Sequence, residues 1–178
     1  MSDSNPYGPI SRLNHWVLAA AMIGMLGFGL YLEYSGLPRE AKRPLVSIHR
    51  SLGVLVLILG AWRVGWRLFR GFPRAIDTTP AWQQRAATAA HWILLMGILL
   101  MPVSGIAFTV FRGNPLSVFG WFEIPAQAEI PWIVSTASFV HTYFGYMIVA
   151  VVVLHAGAAL KHHFIDRDAT LRRMLFGQ

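Results

Sequence analysis

Residues 139–163 read FVHTYFGYMIVAVVVLHAGAALKHH. No Asp, Glu, Lys or Arg occurs in this stretch before Lys161. It is long enough to cross a bilayer, whose hydrocarbon core needs about 20 apolar residues in a helix. Yet it holds His141 and His155, with His162 and His163 after them. Fourteen residues of α-helix cover about 21 Å, and at about 100° per residue the two imidazoles lie roughly 40° apart around the axis. They share one face at two depths. A single metal ion cannot use both. Two stacked cofactors, one in each leaflet, can.

Composition agrees with a membrane setting. Hydrophobic residues make up 55% of the 178, charged residues 13%, and the mean hydropathy is +0.49; a soluble domain is usually about 25% charged. Leu13 to Leu32 and Ala86 to Phe111 carry no charge, and Pro44 to Trp62 carries only Arg50. In lipid only helices and closed barrels satisfy their backbone groups, and unbroken apolar runs of this length are helical. The expected fold is all-α: a transmembrane four-helix bundle in one integral-membrane domain over residues 1–178. Its spans fall at about 12–33, 44–69, 83–111 and 135–163. Pro102 lies inside the third span and should kink it. Ala19, Ala20, Ala21, Gly24, Gly27 and Gly29 in the first span allow either close helix packing or room for a flat cofactor. Ser2, Asp3, Asn5, Pro6 and Pro9 form no charged leader region and no cleavage site, so the first span is expected to be retained. Without cysteine there is no disulfide, thiolate metal site or covalently attached haem.

The formal net charge is +7. With four spans, both termini share one side, together with Arg12, Arg63, Arg67, Arg70, Arg74, Arg85, Lys161, Arg167, Arg172 and Arg173. The other side has Arg39, Lys42, Arg43 and Arg112. The positive-inside rule then places both termini in the cytoplasm, with lipid headgroups as partners of the basic excess and no nucleic-acid role. The loop from Arg112 to Val134 holds Trp121, Phe122, Ile124 and Trp132 among prolines. It is expected to form an outer cap at the membrane interface, with a short helix.

Each imidazole on the fourth span needs a partner at matching depth. His49, near the outer start of the second span, lies level with His141. On the inner side His155 has two choices, His15 in the first span and His91 in the third. Ionisable groups inside a membrane are costly and mark function. Two imidazoles on one iron suit a haem that transfers electrons, whereas a tetrahedral zinc site cannot draw on ligands so far apart in depth. Arg50, next to His49, would either meet a haem propionate or reach the outer headgroups.

Four short motifs carry a resemblance: Asn14–Trp16 (NHW), His49–Gly53 (HRSLG), Arg112–Pro115 (RGNP), and the closing Leu154–Ala156 (LHA) with Lys161–His163 (KHH). In this order, in a four-span chain, the sequence resembles the bacterial cytochrome b561 family from about Ser11 to Leu175. The resemblance implies two non-covalent, bis-histidine b haems in an inner-membrane protein, His15 with His155 holding the inner one and His49 with His141 the outer. It further implies a superoxide:ubiquinone oxidoreductase, with superoxide oxidised outside and ubiquinone reduced near the inner haem. Arg43, Arg50 and Arg112 are then candidates for a cationic funnel that concentrates superoxide. Trp16, Arg50, His91, His162 and His163 are candidates to contact a haem propionate or the quinone, with a histidine supplying protons. The other activity this ligand set serves is a di-haem subunit that relays electrons between a partner dehydrogenase or hydrogenase and quinone.

Overall fold

The computed structural model describes residues 8–71 and 80–177, with Arg70 described by its backbone alone; Arg74 and Ser2 to Pro6 lie outside the described residues. Four long apolar helical segments dominate. α1 is Pro9–Tyr34, α2 Arg39–Arg70 and α3 Ala81–Val110. The fourth span, Pro131–Phe164, is built from α4 (Pro131–Phe139), a π-helical turn (Val140–Phe144) and α5 (Gly145–Phe164). All four are long and apolar enough to cross a membrane. A short α6 (Thr170–Leu175) follows. Helix ends obey local chemistry. Pro9 and Pro131 open α1 and α4, where a missing N–H costs nothing. Gly71, at φ 70°, ends α2 in the left-handed conformation that glycine tolerates.

The main packing runs in chain order, α1 on α2, α2 on α3 and α3 on the fourth span. Close approach depends on missing side chains at the α3 contacts. A Cβ on Gly60 would fall 2.2 Å from Ile98 Cγ2, and one on Gly97 2.5 Å from Ile148 Cδ1. Gly24 and Gly27 of α1 instead have nothing within 4 Å of such an atom, so they serve open space and not close packing. Between α1 and α5 the Tyr34 and Tyr146 hydroxyls bond at 2.8 Å.

An apolar belt of Leu18, Met22, Val56, Leu95, Ile98 and Ile148 ties the four spans together at mid-height. Val56 lies seven residues from His49 and from Arg63, and Ile148 seven from His141 and from His155. Two helical turns in each direction from the belt, the same stripes turn polar.

The loop after α3 departs from the expected short helix. It forms an antiparallel hairpin, β1 (Leu116–Val118) with β2 (Phe122–Ile124), Leu116 facing Ile124 and Val118 facing Phe122. Leu116 and Val118 are buried with Val54 and Val110, while Trp121 and Phe122 point outward. Phe119 (φ 49°) and Gly120 (φ 77°) make the turn. Ser51 of α2, buried, anchors it: its Oγ accepts from the Phe119 amide at 3.1 Å and lies 3.1 Å from the Ser117 carbonyl and 3.0 Å from the Ser47 carbonyl, to which it donates.

Candidate functional site

The histidines come together at two levels. On one side of the belt, called outer after the orientation expected from the sequence, the rings of His49 and His141 stand 6.3 Å apart, centroid to centroid. On the other side His15 and His155 stand 6.5 Å apart. A metal–imidazole bond of about 2 Å on each side places two rings that share one ion roughly 6 Å apart, so both pairs have the spacing of rings joined through a metal. His91 also reaches this inner level, with its ring 5.4 Å from that of His155. That separation is shorter than the other two, which favours His15 as the partner of His155 and His91 as a neighbour.

The outer pair shows how such a ligand is prepared. His141 sits in the π-helical turn and donates Nδ1–H to the Met101 carbonyl at 2.9 Å, with the Ser104 hydroxyl 3.2 Å away. The same carbonyl also accepts the Ser104 hydroxyl at 2.9 Å, so one oxygen of α3 holds both side chains. This contact fixes the tautomer and leaves Nε2 as the free donor atom, the usual arrangement for a metal-binding imidazole. His49 presents a buried Nδ1 with no hydrogen-bond partner, a state that needs an explanation in a native protein. A half-open cleft of about 170 Å³ runs between these two rings, lined also by Met25, Gly29, Glu33 and Tyr146. Behind the His141 ring, a Cβ on Gly105 would stand 3.0 Å from Cε1, closer than ordinary contact, whereas one on Gly29 in the cleft wall would make an ordinary contact 3.5 Å from His49 Cε1. Neutral nitrogen donors, an orphaned buried nitrogen and a glycine-lined cleft fit a flat iron cofactor.

The chain matches the family model described as prokaryotic cytochrome b561 over residues 6–177. It belongs to the prokaryotic cytochrome b561 family. Among similar proteins, cytochrome b561 homolog 2 of Escherichia coli K12 is 34% identical, covering 95% of this chain and 90% of that protein. Cytochrome b561 homolog 1 of the same strain is 32% identical over 71% of this chain and 72% of its own length. A protein of Yersinia pestis described as probable superoxide oxidase CybB is 28% identical over 90% of both. As a cytochrome b561 this is a multi-pass membrane redox protein, and b-type haem is the cofactor that the histidine pairs fit.

The remaining candidate residues of this cytochrome b561 divide by position. Arg50, half-buried, and Arg112 are neighbours on the outer side, the Arg112 guanidinium lying 5.3 Å over the Phe108 ring. Arg43 is exposed on α2 seven residues before Arg50. On the inner side the Trp16 ring packs 5.3 Å from that of His15, but its N–H is taken by the Met174 carbonyl at 3.1 Å. Together with Arg12, which donates to the Leu175 carbonyl at 2.9 Å, Trp16 docks α6 against the start of α1. His162 holds Asp168 at 2.5 Å and Asp166 at 3.3 Å through Nδ1. Asp166 also binds Lys161 at 2.6 Å, so the carboxylates beside His162 are already engaged. Burial would raise the Asp168 carboxyl, but hydrogen bonds from Thr170 and His162 outweigh it and hold that carboxyl below its ordinary value. The His163 ring turns to Phe164, 4.8 Å away.

Two functional candidates escaped the sequence reading. Arg63 and Arg67, counted there as basic residues on the cytoplasmic side, are 7% and 6% exposed inside α2. Arg63 donates to the Ser11 carbonyl at 3.1 Å and its Nη2 lies 3.5 Å from His15 Nδ1. Arg67 donates to the Gly71 carbonyl at 3.0 Å, with the Ser11 hydroxyl 3.5 Å away. They are therefore not headgroup charges, although the basic asymmetry persists without them. The available signal was spacing: Arg63 follows His49 by the same fourteen residues that separate His141 from His155.

Proposed function

We propose that the protein carries electrons across the bacterial inner membrane between two b haems, from superoxide on the outer side to ubiquinone on the cytoplasmic side, with both termini in the cytoplasm. His49 and His141 hold one haem, His15 and His155 the other. The observation that carries the reading is the near-equal separation of the two ring pairs, 6.3 and 6.5 Å, on opposite sides of one apolar belt. When bound, each haem supplies a one-electron couple whose iron has no free position for a substrate.

This chain's residues do the rest. Arg50 and Arg112 present adjacent cations beside the outer pair, which raises the local concentration of a small anion. Two superoxide anions each give up one electron and leave as dioxygen. Those two electrons and two protons from the cytoplasmic side turn one quinone into quinol. His162, held by Asp168 seven residues beyond His155, is the group to pass protons at that end. The relative described as a probable superoxide oxidase supports the donor assignment.

Stopped-flow mixing of the purified protein with superoxide tests this. The α-band should develop within milliseconds and decay on addition of a soluble ubiquinone, with Arg50→Gln/Arg112→Gln slowing the first phase and His162→Gln the second. Haem reduction no faster than in a bis-histidine cytochrome of unrelated fold would reject superoxide as donor and leave transfer from a partner protein.

A further inference from the structure

The two histidine pairs differ in what stands behind them. His141 gives its Nδ1–H to a carbonyl oxygen, that of Met101, at 2.9 Å. Such a contact pushes electron density into the ring, strengthens Nε2 as a donor and favours the oxidised metal. His15 faces the opposite charge. Its Nδ1 edge lies 3.5 Å from Nη2 of the Arg63 guanidinium, at the limit of hydrogen-bond range, so for a His15 that uses Nε2 as metal donor the contact is one of charge and not a hydrogen bond. Arg63 cannot accept a hydrogen bond and stays charged. It is 7% exposed, and among the described residues no carboxylate lies within ion-pair distance of it. Arg67, one turn along α2 and 6% exposed, adds a second buried cation. Ser11 at the start of α1 fixes both, through its carbonyl to Arg63 and its hydroxyl to Arg67. Charge of this kind inside a span is costly to keep and marks function.

We infer that Arg63, backed by Arg67, is the positioning residue that raises the reduction potential of the inner site above that of the outer site, so that electrons entering at His49 and His141 run downhill to His15 and His155. The inference rests on the ligand assignment proposed above. An added electron is one negative charge, which a fixed cation nearby stabilises and a carbonyl oxygen destabilises. A unit charge roughly 10 Å away at an effective dielectric of about 20 changes a one-electron equilibrium by roughly tenfold, equivalent to about 59 mV.

The test is an optical redox titration of the purified, haem-loaded protein in detergent, with haem counted as the pyridine haemochrome. A His141→Ala background isolates the inner site, and the protein with His141 intact reports both midpoints. Arg63→Gln should lower the inner midpoint by about tenfold in the reduction equilibrium, near 59 mV, and leave the outer one in place, while Arg63→Lys should restore most of the shift. An unmoved inner midpoint at full haem content, or an equal fall with Arg63→Lys, overturns the inference. If Arg63→Gln loses the inner haem, Arg67→Gln carries the test: a smaller fall of the same sign supports the inference, and no fall overturns it. Failure of the ligand assignment looks different, because His141→Ala and His15→Ala would then each retain two haems.

Discussion

The His141 environment permits one perturbation whose size follows from the structure. Replacing Gly105 by Ala introduces a Cβ 3.0 Å from His141 Cε1 and 3.3 Å from Nδ1. Ordinary carbon contacts lie at about 3.5–4.0 Å, so the imidazole must retreat by roughly half an ångström or the α3 backbone must move. Retreat pulls Nδ1 from the Met101 carbonyl, stretching a 2.9 Å hydrogen bond towards the distance at which such bonds fail. Overpacking of this kind costs about 1–3 kcal/mol, and disturbing the group that orients a ligand typically lowers affinity for the metal centre by about 10–100-fold. The expected outcome for Gly105→Ala is a protein that binds its outer haem about tenfold or more weakly, with a shifted α-band for that site and an unchanged inner one. Titrating haem into apoprotein under reducing conditions, followed by reduced-minus-oxidised difference spectra, measures both. Gly157→Ala, exposed and with nothing within 4 Å of its Cβ, is the control. If Gly105→Ala and Gly157→Ala bind two haems with equal affinity and superimposable spectra, the claim that this wall positions a metal-binding His141 is wrong.

Other expectations concern ligands, cap and tail. His141→Ala and His155→Ala should each halve the haemochrome content, whereas His91→Ala should keep both haems; loss of a haem in the last variant would return His91 to the ligand set. Ser51→Ala removes the acceptor of the Phe119 amide and the hydroxyl that lies against the Ser117 carbonyl. It should cost about 1–3 kcal/mol, seen as a lower thermal midpoint and as faster proteolysis of the hairpin. At the tail, the lowered Asp168 carboxyl contributes stability that is complete above the unfolded value of about 3.9 and is lost as pH falls through its lower folded value. Release of α6, followed by quenching of a label placed at Thr170, should therefore rise on acidification below about pH 4, and Asp168→Asn should flatten that dependence; equal profiles would contradict it.

Much of this architecture was readable because lipid leaves few options. Four apolar runs, charged only at Arg50, must be helices, and histidines at two depths on those helices must converge if each is to find a partner. Residue spacing alone left His15 and His91 equal as partners of His155, since both occupy the same depth; the family resemblance preferred His15, and ring separations of 6.5 and 5.4 Å are consistent with that preference. The hairpin was missed although its signal was present. Leu116, Val118 and Ile124 form a period-two apolar face around a Phe119-Gly120 turn, but prolines and exposed aromatics on both sides hide it. Arg63 and Arg67 lie at the end of α2 that adjoins the N-terminus, as counted from the sequence, but their burial was not legible there. Charge at the end of an apolar run usually marks the water boundary, and here contacts that include Ser11 of another helix keep it inside. Nothing local in VHTYF announces the π-helical turn, because Val140–Phe144 contains no residue that prefers it; such turns are common at functional positions.

The seven-residue register explains why the two sites are not equivalent. On the fourth span the stripe runs His141, Ile148, His155, so that helix offers an imidazole to each level and one belt residue between them. On α2 the same stripe runs His49, Val56, Arg63. Were Arg63 a histidine, α2 and the fourth span would form two like pairs and the sites would differ little. With arginine there, the proposed second inner ligand is His15 of α1, and the α2 position supplies charge instead. α1 accordingly carries no histidine at the outer level, and offers Gly29 to the His49 ring. On the proposed ligand assignment, one departure from a repeating register would account for both the crossed pairing and the charge difference between the two levels, the asymmetry that a one-way electron path requires.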